Sequence, residues 1–63
     1  MLNANDRAIL RLLMDGTSQI EIALMMGVGS STLQGRLRDI RAKAGARTLC
    51  HAIAIALRSG EVK

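Results

Sequence analysis

Sixty-three residues hold one domain with one small core, too little for a pocket-sized catalytic fold. With 49% apolar residues the chain is not a disordered one, yet it has no Phe, Tyr or Trp, so the core must come from Leu, Ile, Val, Met and Ala. The net charge is +4, and there is no Pro, no strand-like alternation and no Asn-Gly or Asp-Gly hairpin signal; an all-α fold follows.

Four helices are expected in chain order. The first is capped at Asn3, with Asp6 three residues on in capping-box position and Leu2 placed to staple onto the first turn. It runs through Ile9, Leu10, Leu12, Leu13 and Met14 and stops at Asp15-Gly16. The second begins at Thr17 or Ser18, with Glu21 set to complete a box from Ser18. It turns Ile22, Ala23 and Met26 inward and ends at Gly27. The third lies between Gly27 and Gly45, its N-cap Gly29 or Ser30, with Ser31 and Gln34 at box spacing one turn in. Leu33, Leu37, Ile40 and Ala44 form one narrow apolar stripe along it. Its opposite face is small, holding Ser31, Gly35 and Ala42, with Arg38 the one long cation among them. The fourth, capped by Thr48, reaches about Ser59 before Gly60. Met14, Met25 and Met26 read as core filler, although an exposed Met25 beside Ile20 would widen a partner surface.

Between the second and third helices stand only Gly27, Val28 and Gly29. A turn that short, with glycine and one apolar residue to pin it, is the mark of a helix-turn-helix, in which the third helix faces the major groove and the second crosses the phosphate backbone. A plain two-helix hairpin has the same outline, so the charge matters. Arg36, Arg38, Arg41, Lys43 and Arg47 are opposed locally only by Asp39, whereas Arg7, Arg11, Arg58 and Lys63 balance Asp6, Asp15, Glu21 and Glu61. The excess sits on one helix and the loop after it, as at a nucleic-acid site. A solvated basic face is the ordinary alternative.

The fourth helix is apolar nearly all round. Leu49, Ala52, Ile53, Ala56 and Leu57 make a core face, which Cys50 and Ala54 extend on one side and Ile55 on the other. Three short helices cover only one side of it, so a second copy on a twofold axis is expected there, against Cys50, Ile53, Ala54 and Leu57. Single surface alanines and isoleucines are also ordinary.

These residues resemble the LuxR/GerE-type helix-turn-helix domain over Leu2 to Val62. Leu2-Asn3-Ala4-Asn5-Asp6 is similar to the family's Leu-Thr-x-Arg-Glu opening, and Gly16-Thr17-Ser18-Gln19-Ile20-Glu21-Ile22-Ala23 to its Gly-x-Ser-Asn-x-Glu-Ile-Ala run. Met26 to Leu33 matches its Leu-Gly-Ile/Val-Ser-x-x-Thr-Val turn, and Ile40 to Ala46 its Ile-x-x-Lys-Leu-Gly-Val run. Ala52-Ile53 and Gly60 fit its last helix and end. The chain departs from the pattern at Gln34, usually Lys, at Arg36, usually His, at Gly29, usually Ser or Thr, and at Leu49, usually Arg. The resemblance implies a four-helix domain whose third helix reads the major groove and whose fourth dimerises. By family position Gln34, Gly35 and Arg38 face base edges, and Gln19, Thr32 and Lys43 lie near phosphates with Arg47 close behind.

The expected function is therefore a sequence-specific transcriptional regulator that binds double-stranded DNA as a homodimer. Arg38 suits a guanine edge and Gln34 an adenine edge, while Gln19, Thr32, Arg36, Lys43 and Arg47 anchor phosphates. The rival expectation is an antiactivator, a protein-interaction module that pairs through its fourth helix with a larger LuxR-family regulator; an output domain cut from a longer regulator is a third. No enzyme, cofactor or metal is expected: His51 and Cys50 are neighbours in sequence and face different directions on a helix. One cysteine, no visible signal peptide and no apolar run near the roughly 20 residues of a membrane span suggest a cytoplasmic protein, and the resemblance implies work at the bacterial nucleoid.

Overall fold

Asn3 starts the first helix in the manner its side chain dictates. In a computed structural model that describes residues 2–62, its Oδ1 accepts from the Asp6 N–H at 2.8 Å and its own N–H donates to Asp6 Oδ2 at 3.1 Å, closing a reciprocal box. Helix α1 then spans Ala4–Met14. Lys63, one of the outer balancing charges, lies outside the described residues.

Helix α2 spans Gln19–Met26, capped by Ser18, whose Oγ accepts from the Glu21 N–H at 3.2 Å. The expected box is only half present here. The Glu21 carboxylate accepts from the Ser18 hydroxyl at 3.1 Å instead of reaching the Ser18 backbone N–H. Gly27 ends the helix in the left-handed region, φ 69°, where a side chain is strained. Helix α3, Ser30–Ala44, has Gly29 as its N-cap and no side-chain cap, so Ser31 and Gln34 lie inside the helix and form no box. Helix α4, Leu49–Ser59, is capped by Thr48, whose Oγ1 accepts from the His51 N–H at 3.0 Å.

The four helices share one core, and no strand occurs among the described residues. Ile9 and Leu10 come from α1, Ile22 and Ala23 from α2, Leu33, Leu37 and Ile40 from α3, and Ala52 and Ala56 from α4. Leu2 and Val62 close it at either end of the chain. Helix α3 packs against both α2 and α4, and α1 against α2. No helix among the described residues is long and apolar enough to cross a membrane.

Two expectations need correction, Leu57 on the core face and Met25 as core filler; Met25 follows the alternative instead, exposed beside Ile20. Leu57 leaves the core face and is 46% exposed, because α4 drives only the small Ala52 and Ala56 fully inward. Met25 is 66% exposed and fills no core space, while Met14 and Met26 pack half-buried against the core. Ile20 and Leu24, one turn apart, stand 74% and 76% exposed, so the outer ridge of α2 is apolar. Helical projection from the buried Ile22 and Ala23 places all three on the far side of α2.

Candidate nucleic-acid interface

The buried stripe of α3 determines what its other sides present. With Leu33, Leu37 and Ile40 facing the core and Ala44 half-buried beside them, projection at 3.6 residues per turn leaves three solvent ridges. The ridge opposite the core carries Ser31, Gly35 and Ala42. One flank carries Gln34 and Arg38 at i, i+4; the other carries Thr32, Arg36, Asp39 and Lys43. The helix therefore shows a low central surface between two walls of longer polar side chains. Gln34, Arg38 and Thr32 are exposed, while Gly35 and Arg36 are half-buried.

Gly35 is helical, and a Cβ built there meets nothing within 4 Å. The fold itself makes no use of the missing side chain. Mid-helix glycine costs about 1 kcal/mol relative to Ala through backbone entropy. What the glycine yields is a helix backbone open to close approach from outside.

The Gln34 flank is tied to α2. Gln34 Nε2 donates to Gln19 Oε1, linking the first residue of α2 to the second turn of α3. Gln19, expected near a phosphate, thus holds a residue expected at a base edge. The other flank is tied to α1. Lys43 Nζ lies 2.8 Å from Asp6 Oδ2, in an ion pair whose carboxylate is 9% exposed and whose ammonium is 39% exposed. Asp6 accepts both from Lys43 and from the Asn3 N–H, so one carboxylate joins the start of α1 to the end of α3. Burial opposes its charge, but the hydrogen bonds from Lys43 and Asn3 and the cations of Lys43 and Arg7 prevail, and its carboxyl is held below the usual carboxylate value. Asn3, Asn5, Arg36 and Asp39 line the same shallow cleft.

The expected phosphate anchors accordingly differ in their surroundings. Thr32 and Arg36 share a ridge, Lys43 is committed to Asp6, and exposed Arg47 lies past the end of α3, its N–H donating to His51 Nδ1 at 3.3 Å. The two pairings escaped the sequence reading for a physical reason. Asp6 and Lys43 are 37 positions apart and Gln19 and Gln34 are 15 apart, so no local spacing rule joins them.

On α4 the expected dimer residues fall on one stripe, at i, i+3, i+4 and i+7. Cys50 and Leu57 are exposed, and Ile53 and Ala54 are half-buried, as is Ile55 beside them. No group of three or more His, Cys, Asp or Glu side chains placed to hold a metal ion occurs among the described residues. No protein-family model, curated protein or solved structure matches the chain.

Proposed function

We propose that this chain is a DNA-binding domain of the LuxR/GerE helix-turn-helix type that acts on transcription as a homodimer, with α3 in the major groove. The observation that carries the reading is the solvent side of α3. A small ridge containing a glycine that the fold does not need lies between two polar walls, on the segment that holds the chain's excess positive charge. A major groove about 12 Å wide admits a helix whose outer ridge is that low, with side chains on its flanks reaching base edges. In this reading Arg38 takes a guanine edge through two hydrogen bonds, and Thr32, Arg36 and Arg47 take phosphates that set the register. Gly35 brings the helix axis close to the base edges without offering a hydrogen-bonding group.

The test is selection of bound duplexes from a randomised pool, followed by titration of a selected duplex at several salt concentrations. Selective binding with log K falling linearly in log salt supports the reading; binding to no duplex at moderate salt overturns it.

A second reading, the antiactivator that pairs with a larger regulator of the same family, draws on exposed Leu57 of α4 and on the apolar ridge of Ile20, Leu24 and Met25. It predicts that the purified chain ignores DNA and forms a mixed dimer with such a regulator, seen as a defined mass by light scattering.

A further inference from the structure

The geometry points to Gln19 as a positioning residue that fixes Gln34 for reading adenine, rather than as a phosphate anchor. This rests on the DNA-binding reading above.

A primary carboxamide has one acceptor oxygen and two N–H groups, one on the same side as the oxygen and one on the opposite side. Adenine offers the major groove an N7 acceptor and an N6 donor. A glutamine that takes both uses its oxygen together with the N–H on the oxygen's side. In the structure Gln34 donates through Nε2 to Gln19 Oε1, which leaves its oxygen free. We assign the far N–H to Gln19; the oxygen and the near N–H then remain together, and these are the two groups adenine requires. The reverse bond, with Gln19 donating, would use up the Gln34 oxygen and spoil the match.

Each end of this bond stands on a helix packed into the core. Gln19 is the first residue of α2, which is anchored by buried Ile22 and Ala23, and Gln34 follows directly on buried Leu33. Both amides are exposed, so the pair buries no apolar surface that would make it part of the core. A flexible side chain whose orientation is set before binding gives up less freedom on binding, which sharpens the distinction between a matched and a mismatched base. Arg38, one turn further along the same flank, has no such support among the described contacts. Orientation from α2 is thus particular to Gln34.

The experiment compares the wild-type chain with Gln34→Met, Gln19→Met and Gln19→Glu on a duplex selected by the wild type and on its single-pair variants. Preference is taken as a ratio within each protein, so a uniform loss of affinity cancels. The expected result is one A·T pair whose replacement weakens the wild type about tenfold. At that pair 7-deazaadenine, which lacks the N7 acceptor, is also bound several-fold more weakly. Both Met variants lose this preference, and their melting temperatures match the wild type because neither residue is buried. Gln19→Glu keeps the preference, since a carboxylate still accepts the Gln34 N–H, while it binds every duplex more weakly through repulsion by phosphates.

Retention of the wild-type preference by Gln19→Met, at a pair where Gln34→Met loses it, shows that Gln34 reads unaided and overturns the proposal. Loss of the preference in Gln19→Glu overturns the stated direction of the hydrogen bond. A selected site with no A·T pair sensitive to Gln34→Met overturns the adenine assignment while leaving DNA binding intact. A wild type that selects no duplex removes the DNA-binding reading and this one with it.

Discussion

Arg38 and Lys43 are both cations on α3, yet their surroundings give them different work. Arg38 is exposed and has no ion-pair partner among the described residues, so its guanidinium is available to a base edge. Replacing it with Ala is expected to relax preference at one base pair by about 1–3 kcal/mol, read from competition titrations across single-pair variants. An unchanged profile would falsify its role in readout. Lys43 is half of a tertiary contact. Lys43→Met is expected to cost about 0.5–1 kcal/mol of stability, the range of a partly exposed pair, seen as a lower urea midpoint. The same contact sets a pH dependence. The Asp6 carboxyl is lowered in the folded state from its ordinary 3.8. The stability it contributes is therefore fully present above that value and is lost as pH falls through the lowered folded value. Melts between pH 7 and 2 should show the wild type losing more than Asp6→Asn, which keeps an oxygen for the Asn3 N–H but no charge for Lys43. Equal losses would mean that the pair contributes nothing.

At the scale of one helix, α3 bears two conflicting demands. Helix propensity asks for a residue other than glycine at position 35, and no atom of the fold stands in the way of a methyl group there. Gly35→Ala is therefore expected to stabilise the chain by about 1 kcal/mol, raising the melting temperature by about 4–8 °C in a domain of this size. The same methyl group, pointing from the ridge opposite the core, should weaken DNA binding. Calorimetry and titration on one protein sample check both signs. A variant that is more stable and binds as well as the wild type removes the close-approach argument. Helix α3 was the most legible element in the sequence, since Leu33, Leu37 and Ile40 spell its buried side through simple periodicity. Its N-cap was not, because Gly29 caps without a side chain and Ser30 offered an equally plausible start.

For the molecule as a whole, the core is small and wholly aliphatic, with α4 contributing only alanines at full burial. A domain of about 60 residues with such a core is marginal alone, which gives the proposed association through α4 a thermodynamic reason as well as a geometric one. Leu57→Lys is expected to leave the monomer folded, since the side chain is already 46% exposed, and to halve the mass seen by sedimentation equilibrium. A variant that keeps the wild-type mass would move the interface elsewhere, with the Ile20–Leu24–Met25 ridge the next surface to mutate. That ridge was legible in part, as the surface of Met25 beside Ile20. Ile20 and Leu24 project opposite Ile22 and Ala23, so the same periodicity that turns Ile22, Ala23 and Met26 inward leaves them outside.

By itself the sequence determined the all-helical class, the number and order of the helices, most of their caps and most of the buried stripe. These follow from interactions within a few residues, namely capping side chains, glycine stops and the helical repeat. Which polar groups of α3 are free and which are committed was decided only by the tertiary structure. Packing α3 against α2 brought Gln34 to Gln19, and the arrangement of α1 brought Asp6 to Lys43, across separations that no local rule spans. The outward turn of Leu57 and Met25 was decided in the same way. A helix buries only the face its neighbours can reach, and four short helices leave large side chains outside when alanines already fill the space within.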